Sequence, residues 1–195
     1  MRTTSDRFST IPESFAPLRE HAEKYVRFGI TTDEAGTVSV GPNPKVAPRY
    51  FIIRIFPPAH PDWLTRRRGY QVPGNYLDFL SIANGCFAYG MSLYGFTPSM
   101  QAVPALLSRS RLQCHDLTTA NEVWIGGFHL AERLFHFGSR HYSYTENVGY
   151  FMEESGSVRS LLKSGSQVQQ WSSFTSFLHD ELAAAEAYNQ EKNPT

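Results

Sequence analysis

Val72-Pro73-Gly74-Asn75-Tyr76-Leu77-Asp78-Phe79-Leu80-Ser81-Ile82-Ala83-Asn84-Gly85 is the stretch whose reading decides the fold. Tyr76, Phe79, Leu80 and Ala83 recur at i, i+3, i+4 and i+7, so a helix through them carries one apolar stripe. Pro73 suits the first turn, where its missing N–H has no partner to lose. Asn84-Gly85 supplies a stop, because a left-handed residue after a helix costs least at Gly or Asn. Burying the three large side chains of the stripe contributes roughly 1.5–3 kcal/mol each. A short helix that earns its stability this way needs a sheet to lie on.

Strand-like segments stand on both sides of it. Upstream, Tyr50 to Phe56 is a β-rich apolar run bounded by prolines, and its length favours a strand. Asp62 to Arg68 reads as a short helix with Arg66, Arg67 and Arg68 at a solvated end. Downstream, Cys86 to Phe96 is rich in glycine and aromatics and reads as short strands with tight turns. Gln101 to Arg111 reads as helical, with Pro104 in the first turn. Glu122 to Phe128, Arg133 to Phe137 and Asn147 to Met152 are then three strand candidates, which short connections would join into an antiparallel meander. In the second of these, Phe135 and Phe137 share a face and His136 points the other way. Ser172 or Ser173 can cap a closing helix whose buried face is Phe174, Phe177, Leu178 and Leu182.

The first 48 residues read as an N-terminal extension, with a short helix from Phe15 to Phe28 and strand-like alternation over Thr37 to Val40. The remainder, 49–190, reads as one domain, and 191–195 as a frayed tail. The expected fold class is α+β: a single domain with a small, mostly antiparallel sheet covered by helices and closed by a C-terminal helix.

Composition narrows the function classes. The chain has 195 residues, of which 41% are apolar and 14% aromatic, enough for a real core. Eighteen acids balance eighteen bases, so there is no broad attraction for nucleic acid or for an anionic membrane. The polar start, Met1 to Phe8, does not read as a secretory signal. No apolar run is long enough to span a bilayer. Cys86 and Cys114 make neither a disulfide framework nor a metal motif. These features together give the expectation of a cytoplasmic protein.

The stretch from Val72 to Gly85 resembles the signature of the SUKH superfamily, which includes bacterial toxin-immunity proteins and yeast cell-wall assembly regulators. The resembling residues are Pro73 after an aliphatic residue, Tyr76, the pair Phe79-Leu80, and Asn84-Gly85. Further matches follow in order: Leu93-Tyr94-Gly95, a strand with Trp124-Ile125-Gly126, and a closing helix with Ser173-Phe174 and Phe177-Leu178. The resemblance spans about Pro61 to Leu182. It implies a protein-binding module without catalysis. The partner would be a polymorphic toxin's catalytic domain, held inactive by occlusion. A regulatory scaffold like the yeast proteins is the alternative. The chain departs from the family in carrying Arg66 to Arg68 where acidic residues are common, and Cys86 where a second Gly often stands.

Chemistry-bearing patterns are few. Cys114-His115-Asp116 sets nucleophile, base and acid types side by side. Adjacent side chains diverge, however, and working triads are assembled from separate parts of a chain, so a Cys/His hydrolase is the least favoured reading. His129, His136 and His141 lack the spacing of a zinc site. No phosphate-binding loop surrounds Gly126-Gly127. The expectation is therefore no catalytic residue, no metal and no cofactor. For partner binding, tyrosine gives large contact area at low entropy cost. Tyr94, Arg133, Tyr142 and Tyr144, along an exposed sheet face and its loops, are the expected contacts, and Trp124 is expected in the core.

Overall fold

The computed structural model describes residues 8, 11–41, 53–65, 68–97, 115–130, 133–143 and 146–192. Among them, nine strands form one sheet: β1 (Ile30–Thr32), β2 (Val38–Val40), β3 (Ile53–Ile55), β4 (Cys86–Ala88), β5 (Met91–Leu93), β6 (Phe135–Ser143), β7 (Glu146–Met152), β8 (Val158–Leu162) and β9 (Gln167–Trp171). They lie side by side in chain order, and every neighbouring pair is antiparallel. The meander is thus real and much wider than three strands. The chain is a mixed α+β domain closed by a C-terminal helix.

Helices α1 (Ala16–Tyr25), α3 (Gly74–Leu80) and α5 (Phe174–Lys192) contribute to the apolar layer on one face of this sheet. The stripe of α3 does what its spacing predicts: Tyr76, Phe79 and Leu80 are all buried. Phe79 meets Phe174 edge-on at 5.6 Å, and Phe174 in turn meets Phe137 of β6 at 5.6 Å. Phe177 packs against Tyr150 and Trp171. Edge-to-face contacts set the positive rim of one ring against the negative face of the next. Ser173 starts α5, its Oγ accepting from the Ser176 N–H at 3.1 Å.

The segment 8–41 belongs to this same core. Phe8, Ile11, Phe15, Leu18, Ala22 and Tyr25 are buried in one cluster with Phe79 and Phe174. Strands β1 and β2 extend the sheet beyond β3. Packing is therefore continuous across the boundary drawn at 48.

Three expectations need correction. Pro73 stands just outside α3, with an extended ψ of 146°, as the residue that precedes the first turn. Glu122 to Phe128 is no strand: α4 (Leu117–Glu122) ends there and a 3-10 turn follows over Trp124–Gly127. The helix wins because Asp116 caps it, its Oδ2 accepting from the Thr119 N–H at 2.8 Å. Trp124 is not in the core but 43% exposed, beside Val123 at 67%. The short helix α2 is Pro61–Thr65. The segment 101–111, Arg66, Arg67, Cys114 and Tyr144 lie outside the described residues.

Candidate functional site

Two asparagines use their side chains as lengths of strand, and these fix the elements around the site. Asn84 Nδ2 donates to the Phe96 carbonyl and its Oδ1 accepts from the Phe96 N–H, both at 2.7 Å. A Cβ on Gly95 would fall 2.2 Å from the Asn84 carbonyl oxygen, so only glycine fits there. Asn121 does the same for β6: its Oδ1 accepts from the His136 N–H at 2.9 Å and its Nδ2 donates to the His136 carbonyl at 2.8 Å. This pins the end of α4 to the strand and leaves Val123 and Trp124 outside. The buried Tyr76 hydroxyl donates to the Tyr94 and Phe137 carbonyls, at 2.6 and 3.1 Å, where β5 ends beside β6. Asn84 and Gly95 are thus in direct contact, and Tyr76 bonds the residue before Gly95, around one corner of the sheet.

The second face of the sheet carries His136, Ser139, Gly149, Phe151 and Leu161, the alternate residues of β6, β7 and β8. Phe128 lies against Gly149, where a Cβ would come within 2.8 Å of its ring. Leu134, Phe151 and Leu161 form a small second core with Ile125, Phe128 and Leu130 packed on it. His136 is 2% exposed and stacks on Phe151 at 4.6 Å. It is a buried, hydrogen-bonded strand histidine.

The ridge Asn121–Phe128 contributes side chains to two clefts. One, of about 690 Å³, is lined among others by Asn121, Ile125, Arg68, Arg133 and Glu154. The other, of about 460 Å³, is lined by Val123, Trp124 and Phe128 from the ridge and by Tyr94, His136 and Ser139 from the sheet. Gly126 and Gly127 have open space where a side chain would go. Gly126 therefore bends a surface turn rather than a strand.

The expected contact residues separate. Arg133 is exposed at the rim of the larger cleft and donates to the Gly69 carbonyl. Tyr94 is buried at 2%, forming a wall of the smaller cleft against His115, Trp124 and His136. Burial pushes its hydroxyl up to about 12. Tyr142 lies in β6, but its side chain, like all of Tyr144, is outside the described residues. Val123 and Trp124, which type alone assigns to a strand, are an exposed apolar pair lining the smaller cleft.

Asp116 is committed to structure. Its Oδ1 accepts from the Thr97 N–H and hydroxyl at 3.2 and 2.9 Å, and its Oδ2 from the Thr119 N–H and hydroxyl at 2.8 and 2.9 Å. Among the described residues, no three of His, Cys, Asp and Glu gather to hold a metal ion. Nor is any helix there long and apolar enough to cross a membrane. In comparisons with known proteins, no family model, no curated protein and no solved structure matches this chain.

Proposed function

We propose that this chain is a protein-binding module that catalyses nothing, and that it acts as an immunity protein occluding a toxin's catalytic domain. The observation that carries the reading is the ridge: Val123 and Trp124 stand exposed side by side on the lining of the smaller cleft. Adjacent exposed apolar side chains are costly to leave in water and mark contact surfaces. Tryptophan and arginine are the residues that most often dominate binding energy, and Arg133 lies at the rim of the larger cleft, which Ile125 of the same ridge also lines. A stable complex takes about 800 Å² on each side, so the partner would have to cover more than the ridge and reach the rims of both clefts. The choice of a toxin as partner comes from the resemblance of Tyr76, Phe79-Leu80, Asn84-Gly85 and the closing helix to the SUKH pattern.

The test is co-purification of the tagged chain from its native host, followed by assay of the partner's activity with and without the chain. The reading expects a protein with a toxin domain, silenced at equimolar chain. It also expects Val123→Asp with Trp124→Ala to weaken capture by at least about tenfold at an unchanged unfolding midpoint. A partner that stays active when bound would overturn the immunity role. Unchanged capture by the double variant would remove the ridge from the interface.

A further inference from the structure

The sheet is open, and its two edges differ. Nine strands lie in chain order, so β1 and β9 each have a neighbouring strand on one side only. An edge strand turns a row of backbone N–H and C=O groups outward, where a further strand can pair with them. β1 is only three residues long and leads straight into Asp33 and Glu34, both exposed. A strand approaching there meets acids at once. β9 has five residues, Gln167–Trp171, and Gln167 to Gln170 are exposed. None of the five is charged, nor is any residue from Ser164 to Leu178.

Proteins guard their sheet edges with charges, prolines or bulges. Of these β9 has only the bulge. Leu161 of β8 stands opposite Gln167 and Ser160 opposite Gln169, so Val168 is the extra residue. Val168 is also 48% exposed, an apolar side chain on the unprotected edge. The bulge adds local twist, which suits one short pairing and not a long flat ribbon. Beyond the ladder with β8, no backbone hydrogen bond reaches β9 among the described residues.

We infer that β9 pairs with β9 of a second copy of this chain, antiparallel about a two-fold axis at Gln169. In such a contact a side chain at the axis meets its own copy, so a charge there would face its like. Glutamine avoids this, because its amide is neutral and both donates and accepts, so two copies can bond each other. The whole chain has eighteen acids and eighteen bases, and two copies therefore approach without net repulsion. The acids beside β1 keep that edge from pairing in turn, so the assembly closes at two chains. Five residues of strand are a small contact beside the roughly 800 Å² per partner of a tight complex. The dimer is accordingly weak, with single chains at about 1 μM and mostly pairs at about 1 mM. The inference uses none of the ridge residues and stands apart from the reading of the ridge as a protein contact.

The test is sedimentation equilibrium of the full chain between about 1 μM and about 1 mM. The average mass should rise from one chain to two and go no further. Gln169→Lys and Gln169→Glu should each raise the dissociation constant at least about tenfold, because like charges then meet at the axis. Gln169 is exposed, so at about 1 μM both variants should keep the unfolding midpoint of the natural chain. An equimolar mixture of the two should pair at least as tightly as the natural chain, since lysine then meets glutamate. The mass of one chain at every concentration would overturn the inference, as would growth past two chains. A dimer that Gln169→Lys leaves intact, or a mixture that pairs no better than either variant alone, would overturn it too. So would a dimer abolished by Val123→Asp with Trp124→Ala, because the contact would then be the ridge.

Discussion

Asn84 holds Phe96 by both ends of its amide, giving one hydrogen bond and taking another at 2.7 Å each. A side chain here completes a backbone ladder that no strand reaches. Asn84→Ala removes both bonds and leaves the Phe96 peptide groups to find water. Its expected cost is about 3 kcal/mol in unfolding free energy, read from urea titration. Asn84→Asp keeps the acceptor but sets a carboxylate against the Phe96 carbonyl, and should also destabilise. Gly95→Ala, which drives a methyl into the Asn84 carbonyl, should cost at least as much as Asn84→Ala.

Tyr76→Phe isolates one hydroxyl. The ring would keep its contacts with Phe79, Phe135, Phe137 and Phe174. The bonds to the Tyr94 and Phe137 carbonyls would go. Thermal and urea unfolding should show a loss of about 1–2 kcal/mol, with the far-ultraviolet spectrum unchanged.

Glu181 is 1% exposed on α5 and joins β6 and β7, pairing with the Arg140 guanidinium and accepting from the Tyr150 hydroxyl at 2.8 Å. Glu181→Ala strips a partly buried guanidinium of this carboxylate and should destabilise by about 3 kcal/mol. Glu181→Leu with Arg140→Met should recover most of that loss. A double variant as unstable as Glu181→Ala alone would show that the pair's charge matters less than its shape.

Stability should depend on pH through His136. Burial depresses its folded-state pKa from 6.5 to about 4, so the unfolded chain takes up a proton first as the solution is acidified. The contribution is full above about pH 6.5 and is lost as pH falls towards 4, amounting to about 3 kcal/mol over that window. Burial also lowers His21, where Glu186 opposes the shift, and it acts in the same direction. The difference in unfolding free energy between the natural chain and His136→Phe, measured from pH 7.5 to 4, should therefore shrink with acidity. A constant difference would mean that the ring is not held neutral.

The parts of the fold legible in the sequence are those where one face buries and the other does not. Tyr76, Phe79 and Leu80, and again Phe174, Phe177 and Leu178, announce their helices because periodic burial leaves a periodic sequence. β9 escaped notice for the opposite reason: Gln167 to Gln170 are exposed on both faces, so its sequence Gln-Val-Gln-Gln-Trp carries no alternation of burial. β8 was hidden by its serine, since Ser160 is buried at 2% where an apolar residue would have marked the face. At the ridge, Val123-Trp124-Ile125 has the side chains of a strand, and β-branched and aromatic residues were read by type. The signal that could have found the helix was Asp116-Leu117-Thr118-Thr119, a capping residue before a turn. Residue type marks Tyr94 as a contact because tyrosines favour interfaces, but its ring is buried and completes a wall between His115 and His136.

The order of strands across the sheet is their order along the chain, so each hairpin can close as soon as its second strand has been synthesised. The helices do not share that economy of timing. Phe174 and Phe177 are made after all nine strands, yet they sit among Phe15, Phe79 and Phe137. A nascent chain stopped at Ser173 should hold paired strands above an uncovered aromatic floor. It should bind a hydrophobic dye and melt without a sharp transition, and only the arrival of α5 should turn that ribbon into a cooperatively unfolding unit.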